Sequence, residues 1–230
     1  MKAIQAVVFD MDGVIFDSEK LVVECWSETA AKHGIEGVAE TCKECLGLNR
    51  LAAKEKFLER YGMDFPYDIY KQEMSDLYHK RAREGALVMK PGVVELLQYL
   101  KKQGIRVALA SSTREQVVIW ELTYAGIIEY FDVLVCGDMV SRSKPEPDIY
   151  LKACELLGIC PKTAFAIEDS YNGIRAAYAG GLRSIMVPDL AEPTAEMEAL
   201  TEVILPSLFE VIDYVAGSDN EDACKREATL

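Results

Sequence analysis

Ala6-Val7-Val8-Phe9-Asp10-Met11-Asp12-Gly13-Val14 is the stretch on which the fold turns. Ala6 to Phe9 is a short apolar run with the β-branched content of a strand buried on both faces, the pattern of a parallel sheet. Two carboxylates follow at its carboxyl end, spaced i and i+2. In extended chain that spacing aims both side chains the same way, and Gly13 then permits a sharp turn. Ligands of open α/β sheets sit at the carboxyl ends of strands. Two acids crowded there are costly unless a cation or a shared proton relieves them. The pair offers one Asp as nucleophile and the other as proton donor and acceptor, with a metal between protein and substrate.

Downstream of Asp17 the pattern becomes helical. Ser18 stands where an N-cap is favoured. Leu21, Val22, Cys25, Trp26 and Ala30 recur at helical spacing, and His33-Gly34 closes the segment. More helices are expected over 39–46, 51–61 and 67–83, ended by Gly47, Gly62 and Gly85, with no strand before about Val88. From Pro91 strands and helices alternate. Helices are expected over 93–103, 115–125, 148–157, 172–179 and 208–215, and strands over 105–110, 133–136, 164–167 and 183–187. Alternation with short joins means a parallel sheet covered on both faces. The first strand must join that sheet. The expected class is α/β with a discontinuous core, residues 1–17 plus 89–216. A helical module, residues 18–88, is inserted after the first strand, and 217–230 is expected as a poorly ordered tail.

Composition narrows the function classes. The 230 residues are 50% hydrophobic and 27% charged, which fits a globular chain with a sizeable core. A formal net charge of −13 argues against partnership with nucleic acid or an anionic membrane. It also means that an anionic substrate needs local cations at its site. Seven cysteines lack the spacing of a secreted disulfide scaffold. Cys42-x-x-Cys45 has no second pair or nearby His to complete a zinc set, and reads as two residues one helical turn apart. The apolar N-terminal run stops at Asp10, too short for a signal peptide, and no run reaches membrane-spanning length. A reduced, cytoplasmic protein is expected.

The strand ends carry the chemistry. Asp10 and Asp12 follow the first strand and Ser111-Ser112-Thr113 the second. Ser141-Arg142-Ser143-Lys144-Pro145 lies in the loop after the third, and Glu168-Asp169-Ser170 ends the fourth. Gathered on one rim, these supply nucleophile, acid/base, hydroxyl, cation and metal carboxylates, the inventory of phosphoryl transfer through an aspartyl-phosphate. Each has a plainer reading: loop acids, helix caps at Ser111–Thr113 and Ser170, a surface turn at Lys144. Gly173 reads as a site of close helix–sheet packing, and Trp26 and Trp120 as core.

The order DxDG, ASS, KPEPD and EDSxxGIxAA resembles the haloacid-dehalogenase superfamily, over nearly the whole chain. Within it, the chain is similar to the β-phosphoglucomutase-like branch of small-metabolite phosphatases. The resemblance implies a Rossmann-like parallel sheet with an all-helical cap, residues 18–88. It implies Asp10 as nucleophile, Asp12 as acid/base and, through its carbonyl, metal ligand, and Ser111 and Lys144 at the phosphoryl group. Glu168 and Asp169 would anchor Mg²⁺ together with Asp10. Ser112 and the cap residue Arg50 are candidate substrate contacts. The expected partner is a small phosphorylated metabolite, the expected state a monomer. Val22 and Met74 stand where mutases of that branch carry a His and, nearby, a Lys, and Arg50 is left as the evident cap cation. A phosphatase is therefore expected ahead of a mutase. A receiver-type phospho-accepting domain, the reading from another class, needs neither Asp12 nor a helical insertion, and a non-catalytic binding protein would keep the fold alone.

Overall fold

Six parallel strands form one sheet in the order β3-β2-β1-β4-β5-β6. The structure is a computed structural model that describes residues 4–227, with side chains through residue 217. The strands are β1 (Ala6–Phe9), β2 (Arg106–Ser111), β3 (Val133–Cys136), β4 (Ala164–Glu168), β5 (Arg183–Met186) and β6 (Val203–Ile204). β1 lies at the centre, with Phe9 in register with Leu109 on one side and Ile167 on the other. Strand alternation gives the sheet two unlike faces. Val7, Phe9, Val107, Leu109, Phe165 and Ile167 fill one cluster, under α5 (Val93–Gln103), α6 (Glu115–Tyr124) and α10 (Leu208–Glu227). Ala6, Ala108, Ala110, Ala164 and Ala166 line the other, where α7 (Asp148–Leu157) and α8 (Tyr171–Ala179) pack. Small side chains there let these two helices approach the strands closely. They carry Tyr150 and Gly173, both of which reach the strand ends described below.

Between β1 and α5 the chain makes α1 (Ser18–His33), α2 (Val38–Glu44), α3 (Arg50–Tyr61) and α4 (Tyr67–Arg81). These share a core of their own that includes Leu21, Trp26, Phe57, Tyr67 and Met74. Phe57 stacks on Trp26 with ring centroids 4.6 Å apart and meets Tyr67 at 5.1 Å. The chain leaves the sheet layer and returns to it side by side. Asp17 N–H donates to the Val88 carbonyl at 2.9 Å, and Lys90 N–H to the Ile15 carbonyl at 2.8 Å.

Four departures from the sequence reading have local causes. The Ser18 N-cap belongs instead to Asp17, and Ser18 is the first residue of α1. The helix from Tyr67 ends at Arg81 and passes into a π-helical turn, Ala82–Ala86, which the left-handed Gly85 terminates. A short helix, α9 (Ala195–Leu200), and the two-residue edge strand β6 went unseen because both are too short to show a period. The last helix runs past Val215 to Glu227, where Glu221, Ala223, Lys225 and Arg226 are good helix formers. Residues 228–230 of the expected tail lie outside the described residues. Among those described, no helix is long and apolar enough to cross a membrane.

Phe57 is 1% exposed, whereas Leu51 on the same helix is 72% exposed. Phe57→Ala should cost about 3–5 kcal/mol in chemical denaturation, and Leu51→Ala less than about 0.5 kcal/mol. Similar losses for both would contradict this account of the helical layer.

Candidate active site

The residues singled out at the strand ends converge above β1. Asp10 is 4% exposed, and its N–H donates to the Ile167 carbonyl at 3.0 Å. Lys144, on the loop before α7, is buried with Nζ 2.6 Å from Asp10 Oδ1 and 2.6 Å from Glu168 Oε1. Tyr150 donates its hydroxyl to the same Glu168 oxygen at 2.5 Å. The other oxygen accepts the Ser170 hydroxyl at 3.1 Å and N–H at 3.4 Å. A carboxylate offers about four acceptor positions, so these four donors fill Glu168. Gly173 makes the space: a Cβ there would stand 1.9 Å from the Glu168 carboxyl carbon. The close packing expected at Gly173 is thus against a side chain that ends β4.

Asp169 is also buried, and its Oδ2 has no hydrogen-bond partner among the described residues. That oxygen lies against Gly13, whose φ of +80° suits glycine and where a Cβ would come within 2.2 Å of it. Oxygens of Asp10, Glu168 and Asp169 lie within 4.8 Å of one another. Burial pushes the Asp169 carboxyl well above its usual range, and Glu168 and Glu19 add to the shift. Burial raises Asp10 too; Lys144 opposes this, and Glu168 and Asp12 assist it. For Lys144 burial works against the charge, but Asp10 and Glu168 outweigh it and hold the ammonium above its ordinary range. Three buried carboxylates therefore share one ammonium. All the donors are hard oxygens and one of them is orphaned, which fits a hard divalent cation.

Asp12 is held by hydroxyls. Ser18 donates to one of its oxygens at 2.6 Å and Thr113 to the other at 2.9 Å. Ser111 is fully buried, and its oxygen accepts the Thr113 N–H at 3.1 Å. The Ser112 hydroxyl is engaged elsewhere: it donates to the Gly47 carbonyl of the helical layer at 2.8 Å. Two further bonds cross the same gap, from Asn172 Nδ2 to the Leu46 carbonyl at 3.0 Å and from Asn49 N–H to Ser143 Oγ at 2.8 Å. Arg50 is exposed and pairs with Asp68 Oδ1 at 3.0 Å.

Two adjoining cavities lie between the sheet layer and the helical layer. The smaller, about 150 Å³, is lined by Asp10, Asp12 and Glu19. The larger, about 270 Å³, holds Asp12, Arg50, Arg114 and Glu121 in its walls. Asp12 and Lys71 line both. Arg50 is thus joined by a second cation from the helical layer, Lys71, whose ammonium burial pulls down to about 8. Val22 also lines both cavities, and Met74 lines the larger. Cys42 and Cys45 lie on the wall of the smaller cavity as free thiols, which burial pushes up to about 12.

Sequence reasoning missed Tyr150, Lys71 and Glu121. Lys71 lies on a helix with charges on every side, and nothing separates it from a solvent-facing residue. Glu121 did leave a signal, an acid beside Val117, Val118 and Leu122 on an otherwise apolar face.

Gly173→Ala should destabilise the fold by about 1–3 kcal/mol and lower activity sharply, because the new methyl must displace Glu168 and, through it, Lys144. Thermal unfolding and steady-state rates check this. An alanine variant with wild-type stability and rate would contradict the packing account.

Residues 7–187 match the haloacid dehalogenase-like hydrolase family. A phosphorylated carbohydrates phosphatase of Thermotoga maritima is 32% identical over 197 residues, 85% of this chain and 91% of its own. The crystal structure of CbbY from Rhodobacter sphaeroides in complex with phosphate is 30% identical. It superposes with a TM-score of 0.74 over 89% of this chain and 95% of its own. A β-phosphoglucomutase from Clostridium difficile, 24% identical, shares the fold with a TM-score of 0.81 over 96% of this chain and 99% of its own. The crystal structure of a putative β-phosphoglucomutase from Thermotoga maritima is 29% identical, with a TM-score of 0.73 over 93% of this chain and 99% of its own. A family match that takes in the whole helical layer, with a phosphatase relative spanning both layers, places the chain among the haloacid dehalogenase-like hydrolases, as a phosphomonoesterase of their β-phosphoglucomutase-like branch.

Proposed function

We propose that this phosphatase hydrolyses a small phosphorylated metabolite of the sugar-phosphate class, with Mg²⁺, through an aspartyl-phosphate on Asp10. One observation carries the reading. Asp10 opens into the smaller cavity with its other side held by buried Lys144, and Asp12 stands where that cavity meets the larger one. A phosphoryl group in the small chamber has the nucleophile beside it, and its leaving oxygen emerges at Asp12.

Asp10 attacks phosphorus in line. Lys144 offsets charge on the carboxylate, and Ser111 and nearby backbone N–H groups receive the phosphoryl oxygens. Asp12 protonates the leaving alkoxide, then takes a proton from the water that cleaves the aspartyl-phosphate. The hydroxyls of Ser18 and Thr113 fix its carboxyl for both steps. Asp10, Asp169 and the Asp12 carbonyl would hold the ion; Glu168, expected as a metal ligand beside them, has its acceptor positions taken by Lys144, Tyr150 and Ser170 and serves instead as the wall that anchors Lys144. Bound there, the ion would supply positive charge that offsets the repulsion between carboxylate and phosphoryl group. Residues 18–88 act as a cap over the core of residues 1–17 and 89–216, and exclude water during attack. Supporting hydrolysis over a mutase reaction, Val22 and Met74 are apolar and Arg50 is engaged by Asp68. Lys71 is left as the free cap-side cation among the lining residues that a second phosphate would meet.

Asp10→Asn should abolish turnover with the fold intact, and Asp12→Ala should lower kcat about 10²–10⁴-fold. Retained turnover in a clean Asp10→Asn preparation would sink the proposal. Activity should require Mg²⁺ and vanish in excess chelator, and Ca²⁺ should inhibit through its looser coordination. Full activity in chelator would rule out the metal. With β-glucose 1-phosphate and a bisphosphate primer, inorganic phosphate should form faster than glucose 6-phosphate. The reverse order would make the chain a mutase.

A further inference from the structure

Glu121 is a buried acid that phosphoryl transfer does not use. It lies on α6, is 1% exposed, and stands in the wall of the larger cavity. Its Oε1 accepts the Tyr78 hydroxyl, from α4, at 2.9 Å. Its Oε2 is buried with no partner among the described residues. A carboxyl taken out of water is costly unless both oxygens are met, and Tyr78 meets one. If the residue served only to tie α6 to α4, the second oxygen would be a pure loss. Asp12 and Glu121 are the two acids in this wall, and Asp12 marks the end where a leaving group departs.

We propose that Glu121 is a specificity-determining residue that hydrogen-bonds a hydroxyl on the leaving-group side of the substrate, which makes the larger cavity a subsite for a polyhydroxylated carbon chain. The proposal rests on the phosphatase reading, with the phosphoryl group at Asp10. Burial pushes the Glu121 carboxyl up to about 8, with Asp12 adding to the shift and the Tyr78 bond opposing it. Near neutral pH the group therefore keeps its proton and both donates and accepts. A hydroxyl does the same, so it completes the pair whichever way the proton lies. Ser75 and Tyr78, also in this wall, add hydroxyls of their own. A neutral Glu121 also puts no further negative charge in the path of an anionic ester.

The test compares kcat/KM for a hexitol 6-phosphate and for hexyl phosphate, which has the same carbon count and no hydroxyls. Wild type, Glu121→Gln and Glu121→Leu are measured, each checked for an unchanged fold by thermal unfolding. Wild type should favour the polyol ester. Glu121→Leu should lower the polyol-to-alkyl ratio by about 10–100-fold. Glu121→Gln, which can still donate and accept, should keep most of the ratio. A purely structural role would scale both substrates alike in each variant, and that result would overturn the proposal. So would a wild type that prefers an amino-sugar phosphate over the polyol, since the site would then be one for an ammonium group. A wild type that cleaves both esters equally leaves the phosphatase reading standing and removes this one. A wild type that cleaves neither, nor para-nitrophenyl phosphate, removes both.

Discussion

One buried ammonium organises the site. Lys144 is enclosed by protein, and burial alone would strip its charge; Asp10 and Glu168, each 2.6 Å away, keep it charged. The same contacts make Glu168 an anchor. Its four acceptor positions go to Lys144, Tyr150 and Ser170, and Gly173 exists as glycine to leave it room. Removing one member of such a buried set leaves an uncompensated charge, which costs more than the pair contributes when intact. Lys144, Tyr150, Glu168 and Gly173 are therefore parts of one arrangement, although they lie on a loop, two helices and a strand. Its charge does not balance: with Asp169 there are three carboxylates to one ammonium, and the orphaned oxygen of Asp169 is where the deficit is exposed.

The central strand explains why this arrangement is possible. β1 has neighbours on both sides, so the carboxyl end that bears Asp10 and Asp12 lies between those of β2 and β4. The alanine-rich face of the sheet lets α7 and α8 come close enough to bring Tyr150 and Gly173 over Glu168. On the opposite side of the cavities, the helical layer supplies Lys71, Tyr78 and Met74 from α4. Core side chains Ser112, Ser143 and Asn172 all bond to backbone at 46–49. The polar residues at the strand ends thus divide their work: some meet the small cavity, others hold the helical layer over it.

Much of this was legible in the sequence because it is local. The apolar run that ends in Asp10 and Asp12, the strand–helix alternation and the glycines that stop helices all follow from period and turn chemistry. The helices over 93–103 and 148–157 and the strand over 133–136 lie where the pattern places them. What stayed hidden depends on tertiary neighbours. Tyr150 reads as one more apolar helix residue until Glu168 is beside it, and Lys71 reads as a solvated lysine until the cavity surrounds it. Ser18 has the right type for an N-cap, but its hydroxyl is drawn to Asp12 across the turn made by Gly13. Ser112 is at the rim as expected, but its hydroxyl is taken by Gly47. The last helix runs beyond its apolar face because helix propensity alone carries Glu221 to Glu227 forward.

The central claim is that Asp10 carries the phosphoryl group. Borohydride reduces an acyl phosphate to an alcohol, so quenching the enzyme with it during turnover of a sugar phosphate in Mg²⁺ should mark the nucleophile. Peptide mass spectrometry should then find homoserine at position 10 and at no other acid, and none when substrate is left out. Reduction at Asp12, Glu19 or Asp169 instead, or no reduced residue while phosphate is being released, would contradict the account.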